Sequence, residues 1–320
     1  MIAAVLAARL LVGLCILAAE PAAEAEGLDA LSYNQAQWKA AHNSIDRKET
    51  LAEQLEWNAA EPARGGCRGI ELDLVLDPDS VKPGGGWVFG VQHGGAFRPD
   101  TPRLADCLRQ VRSWIGAHPR HGVITLHLDL KREATQGEDG VFVKEIDGLL
   151  AKELGRERIF TPAGLKRGEA TLLAGARKGW PTLAELRGKL ILVFSGEDLD
   201  EPVARRRRAY AATAPGERLC FVDLDQRAGA VGGFDECDIK SPYFQEGSRV
   251  FLNLQLGRKD WTGLARAAHA QGFVTREWRA NTEDSWRESR AAAINVLSTD
   301  RIQGEAWATV GPAPFARLEK

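Results

Sequence analysis

The sequence predicts an α/β protein built as one (β/α)8-type barrel. Short β-rich runs alternate with amphipathic helical stretches from residue 30 to residue 305, and no low-complexity linker or internal repeat divides them. Alternation of this kind implies a mostly parallel sheet covered by helices. About eight or nine strands in one uninterrupted stretch point to a closed barrel rather than an open sheet. The rival, a doubly wound sheet, would carry G-x-G-x-x-G after its first strand, and none follows there.

Taken in chain order, residues 1–19 carry a single charge, Arg9, within a run rich in Ala, Leu, Val and Ile. Ala23-x-Ala25 then offers the small residues that a signal peptidase accepts, so residues 1–25 read as a secretory signal cleaved after Ala25. The apolar run is shorter than the roughly 20 residues needed to span a bilayer. Leu14 before Cys15 does not make a lipidation site. The mature chain, 26–320, is expected to be secreted or periplasmic. The predicted strands are 41–45, 69–77, 87–93, 122–131, 189–195, 219–225, 249–256, 272–278 and 294–299, with helices over stretches such as 103–117, 140–154 and 262–271.

Composition bounds the function loosely. The chain is 44% hydrophobic and 27% charged with a net charge of −2, which is ordinary for a globular protein and offers nothing that favours a broad nucleic-acid contact, so no nucleic-acid partner is expected. Four cysteines remain after cleavage, and an even count in an exported chain suggests two disulfides. Cys67–Cys107 and Cys220–Cys237 close the shorter loops and are the expected pairs. The arginine run at 205–208 reads as a solvated face.

Two predicted strands carry the chemical signal. Ile70, Leu72, Leu74 and Leu76 alternate with Glu71, Asp73, Val75 and Asp77; Ile124, Leu126, Leu128 and Leu130 alternate with Thr125, His127, Asp129 and Lys131. Successive side chains point to opposite faces of a strand. A barrel strand buried on both faces should be almost continuously apolar. Here the lumen side carries acids, a His and a Lys, which must be paired, hydrated or metal-bound, because bare burial costs several kcal/mol for each polar group.

Four pieces fall near the ends of the first four predicted strands: Ala41-His42-Asn43-Ser44-Ile45, Gly69-Ile70-Glu71-Leu72-Asp73, Gln92-His93-Gly94-Gly95 and Leu128-Asp129-Leu130-Lys131. The C-terminal strand ends of a β/α barrel converge on one face, so these residues are expected to share a pocket. Asn43, Glu71, Asp73 and Asp129 are hard oxygen donors suited to calcium or magnesium. Two histidines flanking a reacting centre suit proton transfer near neutral pH. A phosphodiester meets both demands. Each piece also has a bland reading, since a lone barrel histidine is more often structural and His-Gly-Gly can be a simple turn. His127 stays open between pocket wall and structural residue.

These residues resemble the calcium-dependent bacterial phosphoinositide phospholipase C-like family. His42-Asn43-Ser44, Glu71-x-Asp73, His93-Gly94 and Leu128-Asp129-Leu130-Lys131 carry the resemblance. Gly272-Phe273-Val274-Thr275-Arg276, Asn281-Thr282-Glu283-Asp284 and Val296-Leu297-Ser298-Thr299-Asp300 extend it to the last two strands. The resemblance implies a distorted β/α barrel in which Asn43, Glu71, Asp73 and Asp129 bind Ca2+, Asp129 standing where the family more often has Glu. It makes His42 a stabiliser of phosphoryl charge and His93 the acid, then base. Glu71, or His42, takes the proton of an attacking substrate hydroxyl, giving a cyclic phosphodiester first. Lys131 and Arg276 are candidate phosphate or head-group contacts. The implied partners are a phosphodiester substrate, chiefly a phospholipid head group, and a transient membrane contact; a monomer is expected. The rivals are a glycerophosphodiester phosphodiesterase on the same barrel, a more distant sphingomyelinase D-like enzyme and a secreted lipid- or sugar-phosphate-binding protein without catalysis.

Overall fold

The protein is described here from a computed structural model covering residues 27–229 and 238–319. The signal-peptide reading and Cys237 lie outside the described residues. Eight parallel strands close a barrel in the order β1 (Ala36–Ala41), β2 (Gly69–Leu76), β4 (Ile124–Leu130), β5 (Leu190–Ser195), β6 (Phe221–Asp225), β7 (Phe251–Leu254), β8 (Val274–Glu277) and β9 (Val296–Thr299), which returns to β1. The barrel expected from the alternation of elements is present. Among the helices outside it are α1 (Leu51–Leu55), α2 (Leu104–Ala117), α3 (Asp139–Leu154), α4 (Pro162–Lys166), α5 (Leu172–Lys178), α6 (Glu201–Ala212), α7 (Trp261–Ala270) and α8 (Glu283–Ala291). Among the described residues no helix is long and apolar enough to cross a membrane.

Three strands depart from the prediction. The first lies upstream of 41–45, because residues 42–46 leave the sheet in a left-handed turn and a short 3-10 helix. The run at 87–93 contributes only β3 (Phe89–Val91), which pairs antiparallel with β2 as a hairpin outside the barrel. A tenth strand, β10 (Phe315–Arg317), runs antiparallel along the start of β1.

The alternation in β2 and β4 works as read. Ile70, Leu72, Leu74 and Leu76, with Leu126 and Leu128, pack in one apolar cluster with Leu108 and Val111 of α2 and Phe142 and Ile146 of α3. The residues that share the inward face lower in the barrel, Trp38, Val193, Phe221, Phe251 and Val274, belong to a second cluster. Helices α4 and α5 close the floor: Leu165 and Leu172 join that cluster, and Trp180 beyond them packs on Tyr33, Phe221 and Phe251. The floor is therefore apolar and the mouth is where polar residues gather.

Two further expectations fail. Cys67, Cys107 and Cys220 are unpaired buried thiols, so the Cys67–Cys107 bridge is absent. Loop length says nothing about which way two side chains point, and a chain of this size buries enough core to need no staple. The 205–208 run is not a uniformly solvated face either. Arg206 and Arg207 are wholly buried, because acids on neighbouring elements, Asp139 for one and Asp198 and Asp223 for the other, meet them inside the fold.

Candidate active site

The C-terminal ends of the barrel strands open into a cleft of about 710 Å3 lined by His42, Asn43, Glu71, His93, Asp129, Lys131 and Arg276 among others. Chain geometry explains how β1 delivers its pair. The N–H of His42 still bonds the Thr299 carbonyl at 3.0 Å, and then Asn43 turns left-handed with φ 46° and ψ 58°. Asparagine adopts this conformation more readily than most residues, since its short polar side chain bonds locally. The turn points the Asn43 N–H at Glu71 Oε2, 3.0 Å away, and sets Ser44 Oγ to accept the Glu71 N–H at 3.1 Å.

Glu71, Asp73 and Asp129 offer carboxylate oxygens that all lie within 4.8 Å of one another. Asp73 and Asp129 are directly paired across β2 and β4. Such crowding must be relieved by positive charge. Lys131 Nζ stands 2.7 Å from Asp73 and also bonds Asp129, while Arg276 Nη2 stands 2.8 Å from Glu71 Oε1. Burial, then the charges of Glu71 and Asp129, push the Asp73 carboxyl up to about 6, against the pull of Lys131. Burial also works to raise Asp129, but Lys131 and Arg276 outweigh it and hold that carboxyl below its ordinary value. Asn43 Oδ1 is buried with no hydrogen-bond donor. The three carboxylates form an all-oxygen donor set of the kind calcium takes, and Asn43, whose N–H meets Glu71, lines the same cleft with an uncommitted amide oxygen.

The two histidines flank this set. His42 Nε2 lies 3.9 Å from Glu71 Oε2, and its Nδ1 lies 2.9 Å from Asp300 Oδ1. Asp300 is gripped in turn by Arg47 at 3.0 Å and by the Asn281 side-chain amide. Trp278 packs near the imidazole, 5.8 Å between centroids. His93 follows β3, its Nδ1 3.7 Å from Asp73 Oδ1, and its side chain is 52% exposed. Gly94 and Gly95 after it both have positive φ, 74° and 80°, so the chain turns sharply there.

Lys131 and Arg276 both line the cleft, but both are already engaged with carboxylates. Arg276 is 3% exposed and reaches Ser298 and Asn253 across the lumen. His127 sits deeper, wholly buried, with neither ring nitrogen partnered among the described residues. Asp300, Arg47 and Trp278 were given no role from the sequence. An acid directly after the last barrel strand was the available signal for Asp300.

Glu277 follows Arg276 on β8 and turns its carboxyl away from the lumen. One oxygen accepts the Arg279 N–H and the other has no partner. Burial pushes its pKa from 4.5 up to about 8, although the Arg279 N–H and the Arg276 charge pull it down. The fold thus favours the neutral acid. Below about pH 4.5 folded and unfolded chains are both protonated; from there to about pH 8 the penalty grows, so stability is lost as pH rises. Glu277→Gln should therefore melt above the parent protein near pH 8.5 and not near pH 5. Melting curves with a constant offset between those values would remove Glu277 as the cause.

Residues 82–232 match the family model described as phosphoinositide phospholipase C, Ca2+-dependent. The matched segment contains His93, Asp129 and Lys131; His42, Asn43, Glu71, Asp73 and Arg276 lie outside it. The fold is similar to that of a calcium-dependent phosphoinositol-specific phospholipase C from a Gram-negative bacterium, Pseudomonas sp. That match has a TM-score of 0.66 at 21% identity and covers 91% of this chain and 97% of the other. A calcium-dependent phosphatidylinositol-specific phospholipase C from Streptomyces antibioticus matches with a TM-score of 0.55 at 18% identity, over 84% of this chain and 94% of that one. L. pealei PLC21 matches at 0.51 and 12% identity, over 91% of this chain and 38% of that one. No curated protein matches the chain in sequence. The resemblance expected from the motifs is matched by the family model over residues 82–232, and the expected barrel by the solved structures.

Proposed function

We propose that this chain is an exported, calcium-dependent phosphodiesterase that cleaves phosphoinositides or closely related phosphodiesters through attack of a neighbouring hydroxyl on phosphorus. The observation that carries the reading is the meeting of His42 and His93 around one carboxylate set, with Asn43 Oδ1 idle beside it. Asn43, Glu71, Asp73 and Asp129 would hold Ca2+, which when bound supplies positive charge to offset that of the phosphodiester.

The chain's own groups divide the remaining work. Asp300 fixes His42 through Nδ1 and leaves Nε2 turned to the cleft, where it can meet a phosphoryl oxygen. Glu71 Oε2, or His42 itself, receives the proton of the attacking hydroxyl. His93, on the other side of the carboxylates, protonates the departing oxygen and later takes a proton from water, which opens the cyclic product. Lys131 and Arg276 face the phosphate region. Leu199 is the one large apolar side chain exposed among the described residues, which suits brief contact with a membrane rather than anchorage.

The test is hydrolysis of phosphatidylinositol by the purified mature chain, with calcium and with a chelator, beside glycerophosphodiesters. Calcium-dependent release of a cyclic inositol phosphate supports the reading. Turnover of glycerophosphodiesters alone would keep the site and overturn the substrate. No turnover of either, with no calcium bound, would leave a binding protein. Glu71→Gln is expected to lower calcium-stimulated turnover by about 10³-fold, since it weakens both the cation site and the proton acceptor. A loss under tenfold with calcium saturating would release Glu71 from the proton-acceptor role, and an unchanged calcium requirement would release it from the cation site.

A further inference from the structure

We infer that Lys131 is a built-in counter-ion: its ammonium group holds the carboxylate set together in the metal-free protein and is displaced when a divalent cation binds. The inference rests on the calcium reading above but concerns a different question, namely what stands in the cation's place beforehand.

Two cations neutralise the carboxylates, and they differ in freedom. Arg276 is 3% exposed, and its guanidinium is tied to Glu71, Ser298 and Asn253, so it stays in the lumen. Lys131 sits just past the end of β4 at the mouth, with its side chain 23% exposed. Its ammonium bonds Asp73 and Asp129, two of the three carboxylates, and it has a flexible four-carbon stem on which to leave. It contributes nothing to Asn43, whose Oδ1 remains without a donor. The lysine thus serves two of the four residues that would offer oxygens to a cation.

An ammonium group and a divalent cation cannot share the same Asp73 and Asp129 oxygens, because two positive charges a few ångströms apart repel strongly in a partly buried site. Binding must therefore release Lys131 into the cleft, where the phosphate would lie. The lysine then serves two states in turn, stabilising the empty carboxylates first and facing the anionic substrate afterwards. Its presence should weaken the cation's affinity.

Calorimetric titration of the full mature chain with calcium chloride tests this directly, on the parent, Lys131→Met and Lys131→Arg. Lys131→Met should bind calcium about tenfold more tightly, or better, because a repelling charge is gone. Its metal-free form should also melt below the parent, and calcium should raise that melting point by more than it raises the parent's. Lys131→Arg, which keeps the charge, should stay close to the parent. Unchanged or weaker calcium binding by Lys131→Met would overturn the inference, as would no calcium binding by any of the three. Should Lys131→Met fail to fold, crystals of the parent with and without calcium give the same answer. Lys131 Nζ still bonded to both Asp73 and Asp129 in the loaded form would overturn it. Tighter binding by Lys131→Met without turnover by the parent would sink the phosphodiesterase reading and leave this one standing; turnover with unchanged binding would do the reverse.

Discussion

Alanine at His42 or at His93 should lower phosphodiester turnover by about 10³-fold, with the fold retained in both variants. The two losses have different origins, and a second substrate separates them. His93 is assigned to the leaving oxygen, so a substrate whose leaving group is an activated phenol needs no proton from it. His93→Ala should keep most of its activity on that substrate, whereas His42→Ala should lose it on both. Retention of the fold is expected on structural grounds. His93 is half exposed on a turn, and such positions seldom move stability by more than about 0.5 kcal/mol. His42 is buried, but its removal leaves Asp300 paired with Arg47 at 3.0 Å rather than stranded. Equal losses by His93→Ala on both substrates would take the acid role away from His93.

Arg207→Met should have the largest effect on stability. The guanidinium is wholly buried on α6, bonded to Asp198 and Asp223 and to the Gly196 carbonyl at 2.8 Å. Burial opposes its charge, but Asp198 and Asp223 outweigh that and keep it protonated. Removing one partner of a buried ion pair typically costs about 3–5 kcal/mol, because the remaining charge is left uncompensated. Asp198 would retain Arg249 at 2.9 Å, whereas Asp223 would keep mainly the hydroxyl of Ser195. A melting point lower by roughly 10 °C is expected. Ser195 also touches Arg276 across the lumen at 3.5 Å, so partial loss of activity below the melting point would follow. A change of less than about 2 °C would mean that water or a rearranged Arg249 takes over the pairing, and the buried network would lose its claimed weight.

Most of the barrel, and the meeting of the candidate site's residues at its mouth, were legible in the sequence, for a reason that also explains what was not. β2 and β4 alternate cleanly because their outward residues meet only apolar helix faces, so a periodicity of two survives in the sequence. β1 hides its register. Its outward residues are Gln37 and Lys39, which look like surface positions yet are buried, each bonding two backbone carbonyls. The strand was accordingly placed too late, although His42 and Asn43 were still put at its mouth. β3 has the composition of a barrel strand, and only its pairing direction shows that it is a hairpin. Partnerships across long sequence separations left no local trace: His42 and Asp300 are 258 residues apart, and Arg206 on α6 meets Asp139 at the start of α3. The failed disulfide has the same root, because a loop-length argument carries no information about side-chain direction.

The join between β1 and β2 has a consequence for how the site comes into being. Only Ala40–Gly69 and Ala41–Ile70 are paired there, and the approach is so close that a methyl group on Gly69 would overlap Ala40. His42 and Asn43 lie on one lip of this narrow join, and Glu71 and Asp73 on the other. This join, one of the shortest in the ring, is therefore also the one that brings the amide and its histidine to the acids. In this chain the pairing that completes the ring also completes the candidate site, so a ring left open between β1 and β2 would hold the amide and the acids apart.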